Sequence, residues 1–196
     1  MKEIANFLFE LGMLKRTPRS GFQFLGSGGE SVAEHSFRAA CIAYVLGSLE
    51  EQSGRKIDKD RLLRMELFHD MPEARTGDLN YVNKKYVTVD EQKTRRDITE
   101  KIPFGPELEA LLKELAANET PEARLAHDAD QLELILALKE CKDTGSRYAD
   151  EWLDFAVRRL QSETAKELAG VILKTDSSLW WFSDKSDWWV RGGRKG

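Results

Sequence analysis

Proline and glycine cluster between the apolar-periodic segments of this chain rather than within them, and no period-two alternation of apolar and polar residues lasts. Strands need that alternation and helices need apolar residues three and four apart. The punctuation therefore predicts an all-α fold. A first helix is expected over about Lys2 to Leu14, with Ile4, Phe7, Leu8 and Leu11 on one face. The loop LKRTPRSGFQFLGSGGE follows. Ser31-Val32-Ala33-Glu34 is a capping box, so a second helix starts sharply there and runs to about Leu49. A third is expected from about Asp58 to Asp70, stopped or bent by Pro72, which has no N–H and crowds the preceding turn. Glu73 to Val82 reads as a turn region centred on Thr76-Gly77-Asp78. Further helices are expected over about Thr88–Lys101, Pro106–Asn118, Pro121–Lys142 and Arg147–Thr175. Thr120-Pro121-Glu122 is a strong start signal for the third of these.

The 196 residues suit one domain with a core of its own, expected over residues 1–175. Residues 176–196 form a tail carrying Trp180, Trp181, Trp188 and Trp189, expected to pack on the core or at a subunit interface. Neither of the two cysteines, Cys41 and Cys141, has CxxC spacing, which excludes a disulfide framework and argues against a thiolate zinc site. No apolar run approaches the ~20 residues of a membrane span. Glu3 and Glu10 interrupt the N-terminal apolar patches, so that segment reads as an amphipathic helix rather than a signal peptide. A net charge of −4 gives no general attraction to nucleic acid or anionic membranes. These features predict a cytoplasmic protein with no nucleic-acid polymer or membrane as partner.

Only three histidines are present, so their positions are informative. His35 lies on the apolar stripe of the second helix, one turn after Val32 and one before Ala39. An imidazole facing the core must be hydrogen-bonded or bound to something. His69 and Asp70 follow the apolar rows Leu62/Met65 and Leu63/Leu67, so both side chains are expected to point inward or into a cleft. A third acidic position lies in His127-Asp128-Ala129-Asp130, just before an apolar run that marks a central helix. Asp128 and Asp130 are about 200° apart around a helix, so at most one joins a given site, and periodicity leaves both open. Two imidazoles and two carboxylates from three helices make a first shell suited to a divalent zinc, manganese, cobalt, iron or nickel ion. With water or substrate in the remaining positions such a site is catalytic.

The order His35 … His69-Asp70 … Asp130 resembles the HD-domain metal-dependent phosphohydrolases. Glu30-Ser31-Val32-Ala33-Glu34-His35, Leu67-Phe68-His69-Asp70-Met71-Pro72-Glu73-Ala74, Thr76-Gly77-Asp78, Asp130-Gln131-Leu132-Glu133 and the loop Leu14-Lys15-Arg16-Thr17-Pro18-Arg19-Ser20-Gly21 are similar to the family's 5′-deoxynucleotidase branch. The likeness covers about Leu11 to Lys142. It implies a single HD-domain helical bundle with the metal site among its central helices, and hydrolysis of (deoxy)nucleoside 5′-monophosphates to nucleoside and phosphate. It implies His35, His69, Asp70 and Asp130 as ligands of a divalent ion (Co, Mn, Zn, Fe, Ni or Mg), because the family's last aspartate sits in an Ala-Asp pair like Ala129-Asp130. Glu73 is then the catalytic carboxylate that orients water or protonates the leaving oxygen. Arg16 and Arg19 grip the phosphate, with Arg16 matching the family's loop arginine, and Asp78 lies near the nucleotide. His127 and Asp128 have no counterpart and are expected in surrounding or surface positions. Some bacterial members carry Trp after the loop arginine where this chain has Thr17, which leaves discrimination between deoxyribose and ribose open. A homodimer is a further family expectation. The alternatives are another HD phosphohydrolase, acting on nucleoside triphosphates or cyclic phosphodiesters, and a non-catalytic nucleotide- or metal-binding module.

Overall fold

In a computed structural model the chain is described over residues 1–26 and 29–183. The helices are α1 (Lys2–Leu11), α2 (Val32–Gln52), α3 (Lys59–Phe68), α4 (Glu73–Thr76), α5 (Glu91–Thr99), α6 (Gly105–Ala117), α7 (Pro121–Asp143), α8 (Ala149–Val157), α9 (Glu163–Lys174) and α10 (Leu179–Phe182). The described residues form no strand beyond one isolated antiparallel bridge between Pro18 and Ser31. The fold is the expected all-α bundle. Among the described residues no helix is long and apolar enough to cross a membrane.

Helix α7 is the axis, packed against α2, α3, α6, α8 and α9. Its Ala129, Leu132, Ile135 and Leu138 are fully buried among Leu46, Leu62 and Met65 of α2 and α3. A helix surrounded on most sides is apolar on most faces, which is how this segment reads. Thr120 caps α7 by accepting from the Ala123 N–H, with Pro121 at the first helical position. At the start of α2, Ser31 and Glu34 form both halves of the capping box: the Ser31 N–H donates to the Glu34 carboxylate at 2.7 Å, and the Glu34 N–H donates to Ser31 Oγ at 3.3 Å. Such a cap contributes about 1 kcal/mol. It also fixes where His35, four residues later, sits in its first turn.

Two expectations about helix bounds change. Helix α3 ends at Phe68, and the chain bends through His69–Pro72 into the one-turn α4, where a turn region is expected. The Glu73 N–H donates to Asp70 O, and Pro72 enters α4 with its φ already near −60°. Gly77 then takes φ +72°, a left-handed value that favours glycine, and redirects the chain toward Asp78. The segment 147–175 is two helices rather than one. Buried Leu160 docks on the core, and Ser162 starts α9 by accepting from the Ala165 N–H. Trp180 is 85% exposed, so it does not pack on the core, while Trp188 and Trp189 lie outside the described residues.

Candidate metal centre and active-site cavity

Four side chains from three elements converge. His35 comes from the first turn of α2, His69 and Asp70 from the bend after α3, and Asp130 from the middle of α7. His35 Nε2 lies 3.2 Å from His69 Nε2, 3.2 Å from Asp130 Oδ1 and 3.4 Å from Asp70 Oδ2. His69 Nε2 lies 3.1 Å from Asp70 Oδ2. The ligand atoms of His35, His69 and Asp130 all fall within 4.8 Å of one another.

The opposite nitrogen of each ring fixes its tautomer. His69 Nδ1 is 2.7 Å from the Glu66 carbonyl oxygen, which only accepts, so Nδ1 carries the hydrogen. His35 Nδ1 donates to Glu133 Oε2 at 2.5 Å. Glu133 is fully buried, and its other oxygen accepts from Arg38 Nη2 at 2.6 Å and Nε at 2.9 Å. In the neutral rings both Nε2 atoms are therefore acceptors facing each other and two carboxylates. Asp70 Oδ2 is buried with no hydrogen-bond donor. Four lone-pair groups aimed at one point need a cation between them, and this donor set of imidazole and carboxylate fits a divalent metal.

The electrostatics agree. Burial opposes charge on His35, yet Asp130 and Glu133 raise it to about 9. Burial likewise opposes charge on His69, but Asp70 and Glu66 raise it well above the ordinary value. Asp130, despite burial, is held far below the carboxylate range by His35. A divalent ion held by these groups would take the place of the protons that the raised imidazoles carry.

Glu66 and Glu133 are two carboxylates to which sequence reasoning gave no role. Glu66 lies 1% exposed behind His69, and burial pushes it up to about 8. Each signal was present as spacing: Glu66 follows Leu62 by one turn, and Glu133 follows Asp130 by three residues. Glu30 also approaches His35 and Glu133, but Arg38 already neutralises Glu133, so that trio is not a second vacant cation site.

The other predicted positions separate. Arg19 lies 4.0 Å from Asp70 and 3.8 Å from Glu30. Arg16 is exposed, lines neither cavity described below and has no ion-pair partner among the described residues. The reason is the bridge at Pro18–Ser31: the Arg19 N–H donates to Glu30 O and the Val32 N–H to Thr17 O, both at 2.9 Å. This zips the loop onto the start of α2 and carries Arg19 inward. Thr17 is buried in the same zipper. Asp78 accepts from the Ser20 N–H at 2.8 Å, tying the α4 loop to the Arg19 loop. Glu73 is half-buried beside Asp70. Burial, then Asp70 and Asp78, push it up to about 8, and its Oε2 has no partner.

The decoy dipeptide is also placed. Asp128 is fully buried, not on the surface, and is turned to the α8–α9 break rather than to His35. It accepts from the backbone N–H groups of Gln161 (2.7 Å) and Ser162 (2.8 Å) and so holds the break between α8 and α9. His127 Nε2 bonds to Leu115 O at 3.0 Å.

Two cavities, of about 340 Å³ and about 670 Å³, share Asp70, Glu73, Leu79, Lys84 and Asp130 in their walls. Arg19 and Asp78 line the larger.

A helical bundle with an H…HD…D centre open to a cavity defines a class of protein. Residues 11–172 match the family model described as HD domain, and the chain belongs to that family. It is 31% identical over 148 residues to the human protein named 5′-deoxynucleotidase HDDC2, covering 72% of this chain and 70% of that one. It is equally 31% identical over 147 residues to 5′-deoxynucleotidase hdd1 of Schizosaccharomyces pombe, covering 70% and 71%. Among solved structures, a conserved hypothetical protein from Pyrococcus furiosus superposes with a TM-score of 0.76 at 27% identity, over 87% of this chain and 99% of that one.

Proposed function

We propose that this protein is a divalent-metal-dependent phosphohydrolase that cleaves nucleoside 5′-monophosphates, deoxynucleotides among them, to nucleoside and phosphate. The observation that carries the proposal is the convergence of two imidazole Nε2 atoms and two carboxylates, Asp70 and Asp130, which line a cavity that also holds Arg19 and Glu73. The activity printed for the human and fission-yeast relatives supports the same reading.

His35, His69, Asp70 and Asp130 would hold the ion. When bound, it supplies a polarised phosphoryl oxygen and a water acidic enough to attack near neutral pH. The remaining work belongs to the chain. Arg19 presents its guanidinium fork to the phosphate oxygens, a two-point grip that lysine cannot give. Glu73 holds a proton near neutral pH and delivers it to the 5′-oxygen as the P–O bond breaks, so the nucleoside leaves as an alcohol rather than an alkoxide. Glu133 and the Glu66 carbonyl keep the two imidazoles in the metal-binding tautomer. Lys84 and Arg159 are further cations in the wall of the same cavity.

The test is phosphate release from dAMP and dTMP with Mn²⁺ or Co²⁺. Wild-type protein should release orthophosphate, and Asp70→Ala should release none while keeping its helical circular dichroism. Equal release by both proteins overturns the ligand assignment. Tripolyphosphate from dATP, with no release from the monophosphates, overturns the substrate class.

A further inference from the structure

The larger cavity has a second wall that the chemistry at the metal centre does not use. Trp152 of α8 faces it together with Phe22, Tyr81 and Phe155. Ala149, Leu153 and Ala156 turn to the core, which leaves Trp152 and Phe155, three residues apart, on the cavity side of α8. Phe155 is 60% and Tyr81 56% exposed, with Arg158 5.7 Å from the first ring's centroid and Lys85 5.6 Å from the second.

Resting on the nucleotide reading above, we propose that Trp152, flanked by Tyr81, is the platform on which the nucleobase stacks. Two observations carry this. First, none of the rings packed on Trp152 lies parallel to it. Tyr81 meets it at 86° and 6.1 Å between centroids, and Phe24 at 51° and 6.4 Å. The indole is held edge-on by its neighbours without being stacked by them. Second, the cavity that Trp152 lines also reaches Asp70 and Asp130, so a phosphate at those carboxylates and a base on the indole share one space. A cavity of about 670 Å³ with a metal centre in one part of its wall and aromatic rings in another accommodates a nucleoside monophosphate.

The test compares Trp152→Leu, which keeps apolar volume but removes the large ring, with Trp152→Phe, which keeps an aromatic face. Steady-state kinetics of the Mn²⁺-loaded protein are measured with dAMP, dTMP and 2-deoxyribose 5-phosphate, which has no base. Stacking predicts that Trp152→Leu lowers the ratio of kcat/KM for either nucleotide over deoxyribose 5-phosphate by about tenfold or more, through KM, and that Trp152→Phe restores most of it. An unchanged ratio in Trp152→Leu overturns the proposal, because the ring is then only packing. Calorimetric titration with deoxyadenosine and thymidine provides a readout independent of turnover, with both nucleosides expected to bind the wild type and to weaken about tenfold in Trp152→Leu. If the wild type releases no phosphate, the hydrolase reading fails alone, and loss or retention of nucleoside binding in Trp152→Leu still decides the stacking.

Discussion

Replacing Glu133 with glutamine alters one atom of a fully buried side chain and tests the whole orientation of the metal centre. Glu133 Oε2 accepts from His35 Nδ1 at 2.5 Å, while Oε1 accepts from Arg38 at 2.6 and 2.9 Å. A carboxylate serves both neighbours because it only accepts. A carboxamide cannot. If its oxygen faces His35, its NH₂ meets the guanidinium, which has donors only. If its oxygen faces Arg38, its NH₂ meets His35 Nδ1 and drives the ring proton to Nε2, the atom that lies 3.2 Å from Asp130. The second arrangement blocks the lone pair that would bind metal. Partners of this kind change metal affinity by about 10- to 100-fold, or about 1.4–2.7 kcal/mol. Arg38 keeps its paired contacts to Glu140 at 2.8 and 3.0 Å, so the substitution leaves no stranded charge and the protein should fold. Glu133→Ala, by contrast, would leave a void beside His35 and cost several kcal/mol of stability, as broken buried pairs do, about 3–5 kcal/mol. The assay is calorimetric titration of Mn²⁺ or Co²⁺ into chelator-treated protein, with Glu140→Gln as control. The Glu140 side chain is 52% exposed and should change metal affinity less than about twofold, since exposed pairs contribute little. Wild-type metal affinity in Glu133→Gln, with folding intact, would refute the reasoning that Glu133 sets the His35 tautomer for a ligand at Nε2.

The two aspartates of α7 should separate cleanly: Asp128→Ala strands two backbone N–H groups and should lower stability by about 2–4 kcal/mol in denaturant unfolding with metal affinity unchanged, whereas Asp130→Asn should lose metal affinity with a small change in stability. Glu73, raised to about 8, is protonated below that value and loses its proton above it, so an acid role predicts that kcat for dAMP falls as pH rises through about 8 and that Glu73→Gln removes this limb. A rate that instead climbs through the same range would make Glu73 a base. Arg19→Ala should raise KM for dAMP at least tenfold while Arg16→Ala leaves it within about twofold, and the reverse order would contradict the loop geometry.

Much of the frame is legible in local sequence because caps and stops act within one turn. Ser31 and Glu34 fix where α2 begins and hence the turn on which His35 sits. Pro72 marks the bend that frees His69 and Asp70 from α3. Thr120-Pro121-Glu122 starts α7 at the predicted residue. The break at Ser162 was less visible: its own start signal is a lone serine followed by Glu163, and the contact that holds it comes from Asp128, more than thirty residues earlier.

What the sequence alone determined is therefore the helical frame and the inward faces of His35 and His69; periodicity left Asp128 and Asp130 open, and the resemblance to the HD-domain family pointed to Asp130. Tertiary packing decided which groups face one another. Asp128 and Asp130 point in different directions from the same helix, and only the neighbours of α7 make one a backbone anchor and bring the other to His35. The Pro18–Ser31 bridge brings Arg19 rather than Arg16 to Asp70. Glu133 gains its partners, His35 and Arg38, from another helix. Hydrogen bonds and stacking are short-ranged, so a residue's chemistry depends on what lies within a few ångströms, and for this cavity those neighbours come from opposite ends of the chain.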